Sequence, residues 1–118
     1  MTTPRPADNR LLGTWRSDAA LTLAEWTFAP NTSDSDRARI EAYFGKQTLR
    51  YTAAQVTSEL DGARTTCPYR VSSVDGDWIT IVRRVHGRDE IQHLRFIEPD
   101  VYCVTAGRNR EYFRRVGA

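Results

Sequence analysis

The sequence predicts a mainly β protein that folds as a single up-and-down antiparallel β-barrel of about eight strands, with two short helices between strands 1 and 2. Seven strand-like segments follow Gly45, and the turns between them are short and rich in Gly, Pro, Asp or Asn. Short turns make consecutive strands antiparallel neighbours. A meander of eight strands has two exposed edges unless its last strand pairs with its first, so we expect a closed barrel.

Length and composition indicate one domain. The chain has 118 residues, of which 40% are hydrophobic and 10% aromatic, enough for a single modest core. We assign the barrel to residues 10–118 and expect residues 1–9, which hold two prolines and nothing to pack, to be a disordered N-terminal arm. The arm has no apolar signal segment, and no later stretch approaches the ~20 apolar residues of a membrane helix. The sequence therefore predicts a cytoplasmic protein with no membrane partner.

The charge pattern does not favour nucleic acid as a partner. All but one of the 17 basic residues are arginine, and 15 acidic residues bring the formal net charge to +2. Residues 108–115 combine four arginines with Tyr112 and Phe113, as an RNA-binding segment does. Their alternation, with Glu111 among them, fits a barrel strand better, so we do not expect nucleic-acid binding.

Cysteine and histidine spacing predicts no catalytic or metal site. Cys67 and Cys103 are too far apart for a CxxC motif and too few for a disulfide framework, so we interpret them as buried free thiols. His86 and His93 lack the spacing of a metal-binding pair. The sequence also has no phosphate-binding loop and no nucleophile motif. We therefore predict no catalytic residue, no metal and no cofactor.

The first strand and the two helices have local signals. Residues 10–17 alternate as a short strand, and Asp18 or the serine before it is a typical helix N-cap. Apolar residues at helical spacing extend this first helix until Pro30. A second helix is expected to begin near Asp34 and to end at Gly45, a typical C-cap. The later strands are predicted at residues 47–52, 55–60, 64–73, 78–85, 90–97, 101–106 and 111–116.

Three features resemble the calycins, the superfamily of lipocalins and intracellular fatty-acid-binding proteins, and a bacterial-type lipocalin-like protein best describes the chain. Gly13 and Trp15 match the Gly-x-Trp of that family's first strand, and Arg114 or Arg115 matches its arginine on the closing strand. The helix pair after the first strand is similar to that of fatty-acid binders. The resemblance implies that Gly13, Trp15 and one arginine close the barrel base as structural residues.

Alternation within the early strands proposes a set of interior residues. If the barrel encloses a lumen, one face of each strand lines it. We expect a small, mainly apolar ligand to enter near the two helices and to lie against this set. The proposed ligand-binding residues are Leu49, Tyr51, Val56, Tyr69 and Val71.

For the fifth and sixth strands, alternation does not decide which face points into the barrel. On the sixth strand, either Leu94 and Phe96 or His93 and Arg95 face the interior. An interior arginine is unfavourable unless paired, so the second choice implies an acidic ligand or an internal acid. The fifth strand leaves a similar choice, between Ile79 with Ile81 and Trp78 with Thr80 and Val82.

The closing strand suggests a carboxylate site. Fatty-acid binders hold a ligand carboxylate with an arginine and a tyrosine two residues apart on this strand, and Tyr112 and Arg114 have that spacing in the opposite order. If both face the lumen, the resemblance implies an anion-holding pair. The alternative is that one of Arg114 and Arg115 covers Trp15 and the other is solvated.

Three functions follow from this interpretation. The first is non-catalytic binding of a small hydrophobic or amphipathic ligand, with or without a carboxylate, in the lumen. The second is a filled barrel that acts as a protein-interaction module or forms a homodimer. The third is a small barrel enzyme, which requires a polar cluster around His93.

Overall fold

Eight antiparallel strands form the wall of a closed barrel, in which each strand pairs with the next and the last pairs with the first. The computed structural model describes residues 8–117. This architecture confirms the predicted fold class. The strands are β1 (Gly13–Ser17), β2 (Thr48–Tyr51), β3 (Gln55–Leu60), β4 (Ala63–Asp75), β5 (Trp78–Val85), β6 (Arg88–Glu98), β7 (Val101–Ala106) and β8 (Asn109–Gly117).

The predicted N-terminal arm lies mostly outside the described residues, which begin at Asp8. From there the chain turns directly into the barrel. The Asp8 carbonyl accepts a hydrogen bond from the Leu11 amide (2.9 Å), and its carboxylate accepts one from the Arg10 amide (2.9 Å). Leu11 is fully buried at the start of the core.

Two helices lie between β1 and β2, α1 (Ala19–Ala24) and α2 (Asp34–Tyr43). α1 ends well before Pro30, so its predicted length is wrong. The backbone of Thr27 pairs with the Asn109 side chain instead, donating to Oδ1 (2.8 Å) and accepting from Nδ2 (3.1 Å). This contact lies three residues beyond the end of the helix. Within residues 8–117, neither helix is long and apolar enough to cross a bilayer.

α1 is attached to the barrel wall at β8. Asp18 caps the helix by accepting from the Leu21 amide (3.0 Å), and its own amide donates to the Tyr112 carbonyl (2.8 Å). Thr22, which is fully buried, accepts from the Tyr112 amide (2.9 Å). α1 therefore covers the part of β8 that lies beyond the end of β1.

Successive connections between strands lie alternately at the two ends of the barrel. The helices lie at one end, which we call the mouth, together with the hairpin turns that precede β4, β6 and β8. The opposite end, which we call the base, holds Leu11 and the turns that precede β3, β5 and β7.

The base is closed by Trp15 and Arg115. Trp15 is fully buried and donates from Nε1 to the Leu11 carbonyl (2.9 Å). The guanidinium carbon of Arg115 lies 4.3 Å from the centroid of the Trp15 ring. Its two terminal nitrogens donate to the carbonyls of Leu12 and Arg10, and Nε donates to Asp100 (2.8 Å). Arg115, rather than its neighbour on the same strand, therefore joins β8 to the segment before β1.

Gly13 has a backbone reason to be glycine. Its φ of +122° lies in a region that residues with a Cβ rarely adopt. It pairs with Tyr51 on β2 just before a register shift against β8 at Thr14 and Trp15. The unusual φ falls at the first residue of β1, two residues before the buried Trp15.

Replacing Arg115 by methionine should lower the free energy of unfolding by about 2–3 kcal/mol, because it removes a cation–π contact and charge-assisted bonds to two carbonyls. Arg114→Met is the matched control: that side chain is 52% exposed and, among residues 8–117, pairs with Asp18 alone, so a loss below ~1 kcal/mol is expected. Urea unfolding of both variants measures the difference. Equal losses would contradict the closing role of Arg115.

Candidate functional site

The five ligand-binding residues predicted on β2, β3 and β4 all face the interior and are buried. Their exposed fractions are at most 8%. They belong to one continuous core that also includes Ile79, Ile81 and Leu94. The predicted residues are Leu49, Tyr51, Val56, Tyr69 and Val71.

Four aromatic residues, which we call the aromatic floor, occupy the base half of the interior: Trp15, Phe96, Tyr102 and Phe113. Tyr102 is fully buried at their centre. Its ring stacks on Phe113 at 5.2 Å between centroids and meets Trp15 edge-on at 4.8 Å, while Phe96 lies 5.8 Å from Trp15. Little of this half remains for a ligand.

The interior becomes polar towards the mouth, a region we call the upper interior. Arg83 alternates with the buried Ile81 on β5. Because directly opposed residues share a face, Gln92 (opposite Ile81) and Glu90 (opposite Arg83) lie on the same inner face. Arg83 donates from Nη2 to Glu90 (2.7 Å). Within the described chain, Arg83 Nε and Gln92 Oε1 are buried side-chain atoms without a hydrogen-bond partner. Unpaired buried atoms of this kind are uncommon and mark a place where a further polar group fits.

The charge of Arg83 acts on two tyrosine hydroxyls of the interior. Tyr51 and Tyr102 share one buried hydrogen bond of 3.1 Å between their hydroxyl oxygens. Burial raises the pKa of both phenols, and the positive charge of Arg83 acts in the opposite direction on both pKa values. The bond between the two hydroxyls uses one of their two protons. The second proton is available to another acceptor in the upper interior.

Three inward-facing side chains of the upper interior are only partly buried. Cys67 and Ser58 face inward yet are partly exposed, as is Gln92. Burial raises the pKa of the Cys67 thiol, with Arg83 acting against this effect. Cys67 therefore differs from the buried thiol expected from the sequence, whereas Cys103 is buried.

Tyr112 and Arg114 do not face the lumen, which corrects the predicted carboxylate pair. Tyr112 packs against Leu21 of α1 on the outer side of the wall, and its hydroxyl donates to Glu25. Arg114 is half exposed and pairs with Asp18 at 3.1 Å. Because Arg115 turns inward over Trp15, strand alternation places Tyr112 and Arg114 outside.

The structure also decides which face of the sixth strand points into the barrel. Leu94 and Phe96 face the interior, at 0% and 6% exposure, and His93 and Arg95 lie on the outer face. His93 Nδ1 hydrogen-bonds the Thr80 hydroxyl (2.9 Å). Its position is therefore outside the polar upper interior. No cluster of three potential metal ligands occurs among residues 8–117.

Sequence reasoning missed Arg83 and Gln92. The signal for Arg83 was present: Ile79, Ile81 and Arg83 alternate on one face of β5, and both isoleucines are fully buried. An inward Ile81 makes an inward Arg83 unavoidable. The open choice on β5 concealed this arginine.

The chain was compared with known proteins at three levels. No family model matches it, and neither a curated protein nor a solved structure shows significant similarity. The closed eight-stranded antiparallel barrel is compatible with the calycin-like fold that the Gly-x-Trp resemblance implied. A barrel of this size is compatible with binding a small ligand.

The buried phenols predict that the protein loses stability in alkali. Burial raises the pKa of Tyr69 to about 12, and it raises the pKa of Tyr51 and Tyr102 as well. Above pH ~10 an unfolded chain has lost phenol protons that the folded chain keeps, so unfolding becomes easier by ~1.4 kcal/mol per pH unit for each tyrosine. The stability that the buried protonated phenols contribute is fully present below pH ~10 and is lost as the pH rises through the pKa values of the folded state.

Urea unfolding at a series of alkaline pH values measures this slope, and phenolate absorbance shows when the tyrosines ionise. Tyr69→Phe should reduce the fall of the unfolding free energy per pH unit by the contribution of one tyrosine. Ionisation of all tyrosines near pH ~10 without unfolding would contradict the prediction.

Proposed function

We propose that the barrel binds a small, mainly apolar carboxylate in its upper interior without transforming it. The apolar part of the ligand lies over the aromatic floor, against Tyr51, Tyr69 and Val71. The carboxylate is held by Arg83, which replaces Arg114 in this role. The observation that carries the proposal is the buried Arg83 Nε, which has no partner within the described chain.

The surroundings of Arg83 support an anion as the missing partner. A guanidinium presents a planar fork of N–H donors that matches a carboxylate. The Tyr51–Tyr102 pair has a proton to spare on the same inner face. Leaving a buried donor unpaired costs about 1–3 kcal/mol, which a bound carboxylate recovers.

The aromatic floor restricts the length of the ligand. Tyr102 is fully buried and contacts both Trp15 and Phe113, so the floor closes the lower interior to a long chain. We therefore infer a compact ring system rather than an extended hydrocarbon as the apolar part of the ligand. The ligand class is therefore a short aromatic or alicyclic carboxylic acid.

Calorimetry with three probes tests the proposal. We expect 2-naphthoate to bind and 2-naphthamide to bind at least about tenfold more weakly, because the amide lacks the charge that strengthens its bonds to Arg83. Hexadecanoate should not bind. Tighter binding of hexadecanoate, or equal affinity for acid and amide, would refute the ligand class.

A filled barrel that associates with protein is the second candidate. The aromatic floor favours it, as do large apolar side chains on the outer face of β5 and β6: Trp78 is 44% exposed, Ile91 66% and Ile97 47%. This candidate predicts that none of the three probes binds. It also predicts a concentration-dependent dimer in sedimentation velocity, which Ile97→Asp should weaken.

A further inference from the structure

The barrel wall is interrupted between β6 and β7 on the side of the mouth. Near the base the two strands pair at Glu98 with Val101, Phe96 with Tyr102 and Arg95 with Cys103. Beyond this point β6 remains paired with β5, and β7 remains paired with β8. In residues 8–117, no ladder joins residues 88–94 of β6 to residues 104–106 of β7. We call this gap the seam.

The seam contains a cleft whose lining includes two inward-facing residues, Gln92 and Val104. Its volume is about 260 Å³, and its walls are residues 90–93 on one side and Val104 and Thr105 on the other. A water molecule takes up roughly 30 Å³ of liquid, so the cleft holds several. Gln92 lines this cleft, and its Oε1 is one of the two unpartnered buried atoms. The cleft therefore places bulk solvent next to Gln92, whose side chain shares the inner face with Arg83.

The helical side of the mouth is closed more firmly. Ser17 Oγ accepts from the Gly45 amide (3.0 Å) and donates to Glu111 (2.8 Å), which ties the segment before β2 to β8. Trp26 packs on Phe44 with centroids 4.8 Å apart. Opening this side breaks hydrogen bonds and aromatic packing. Widening the seam breaks no ladder hydrogen bond, because none joins its two edges.

We propose that the seam is the entrance through which the carboxylate reaches Arg83, in place of the entrance near the helices that the sequence suggested. This inference rests on the proposed function. An entrance lies outside the binding site, so narrowing it raises the barrier to association and dissociation equally. The equilibrium constant then stays the same.

Stopped-flow fluorescence with 2-naphthoate measures both rate constants. Thr105→Trp places a large ring on the outer rim of the seam, and we expect both rate constants to fall by the same factor, about tenfold, with Kd unchanged. Ile91→Ala removes bulk from the opposite rim, where Ile91 is 66% exposed, and should raise both rates.

Two matched variants separate the seam from the rest of the surface. Thr66→Trp adds the same ring at an exposed threonine of β4, far from the seam, and should leave both rates unchanged. Ile40→Trp fills a cleft beside α2, at the rival entrance, and should also have no effect. Slower exchange in Ile40→Trp with normal exchange in Thr105→Trp would overturn the seam as the entrance. Failure of the wild-type protein to bind 2-naphthoate would instead overturn the proposed function, and this inference with it.

Discussion

Replacing Trp15 by alanine is expected to lower the free energy of unfolding by about 3–5 kcal/mol, the usual effect of removing a fully buried large aromatic side chain. Trp15 contacts Phe96 and Tyr102 on one side, and Arg115 lies over its ring. Its indole nitrogen also satisfies the buried Leu11 carbonyl. The alanine variant therefore loses packing, a cation–π contact and a hydrogen bond together.

Trp78→Ala is the matched control for this variant. Trp78 is 44% exposed on the outer face, where the guanidinium carbon of Arg95 lies 5.7 Å from the centroid of its ring. We expect its loss to lower the free energy of unfolding by less than ~1 kcal/mol. Urea unfolding followed by circular dichroism compares the two tryptophan variants. A similar loss in both would mean that Trp15 does not hold the base of the barrel together.

The strand order was predictable from the sequence because it depends on local signals. Asp61 and His86 take positive φ values of 51° and 50°, and a positive-φ glycine follows each of them in its hairpin turn. Turn residues with such conformations force tight antiparallel hairpins. The short turns that join β2 to β8 make these seven strands sequential neighbours, and pairing of β1 with both β2 and β8 closes the barrel.

The orientation of the closing strand was not predictable locally. Arg114 and Arg115 are adjacent, and either can cover a tryptophan on another strand. The choice depends on the pairing of Trp15 with Arg115, two residues that are far apart in the chain. The length of α1 also depends on a distant contact, since Asn109 lies 82 residues from Thr27. Local periodicity contains no information about either contact.

The seam was hidden for a related reason. The segments that form β6 and β7 have good strand patterns along their whole length, and both are fully extended in the structure. Whether two good strands pair along their whole length depends on barrel curvature and on the register shift between Phe96 and Glu98. Neither is visible in single-strand alternation.

Replacing Arg83 by methionine should weaken 2-naphthoate binding by about ten- to a hundredfold, the effect of losing a charge-assisted hydrogen bond of ~1.5–3 kcal/mol. Methionine keeps most of the length of the arginine stem and removes its charge. Arg84→Met is the control at the next position, because Arg84 faces outward, is 58% exposed and pairs with Asp89. Calorimetry of both variants gives the ratio of affinities.

The same substitution should not destabilise the fold. Within the described chain, Nε of Arg83 is buried and has no hydrogen-bond partner. Glu90, which pairs with Nη2 of the same arginine, is 55% exposed and remains hydrated when the arginine is removed. The Arg83 side chain is only 19% exposed, and replacing a poorly satisfied, mostly buried charge by an apolar side chain is often neutral or stabilising. We therefore expect Arg83→Met to unfold at the same or a higher urea concentration while it loses affinity. A residue kept only for structure would show the reverse, namely reduced stability with no change in binding.

Glu90→Gln completes the comparison, because Glu90 competes with the ligand for Arg83. Its carboxylate accepts from Arg83 Nη2 at 2.7 Å, so an incoming carboxylate must share or displace this contact. Removing the negative charge should strengthen 2-naphthoate binding in the wild-type background and have no effect in Arg83→Met. If Glu90→Gln strengthens binding in both backgrounds, Glu90 acts through the overall negative charge at the mouth and not through its contact with Arg83.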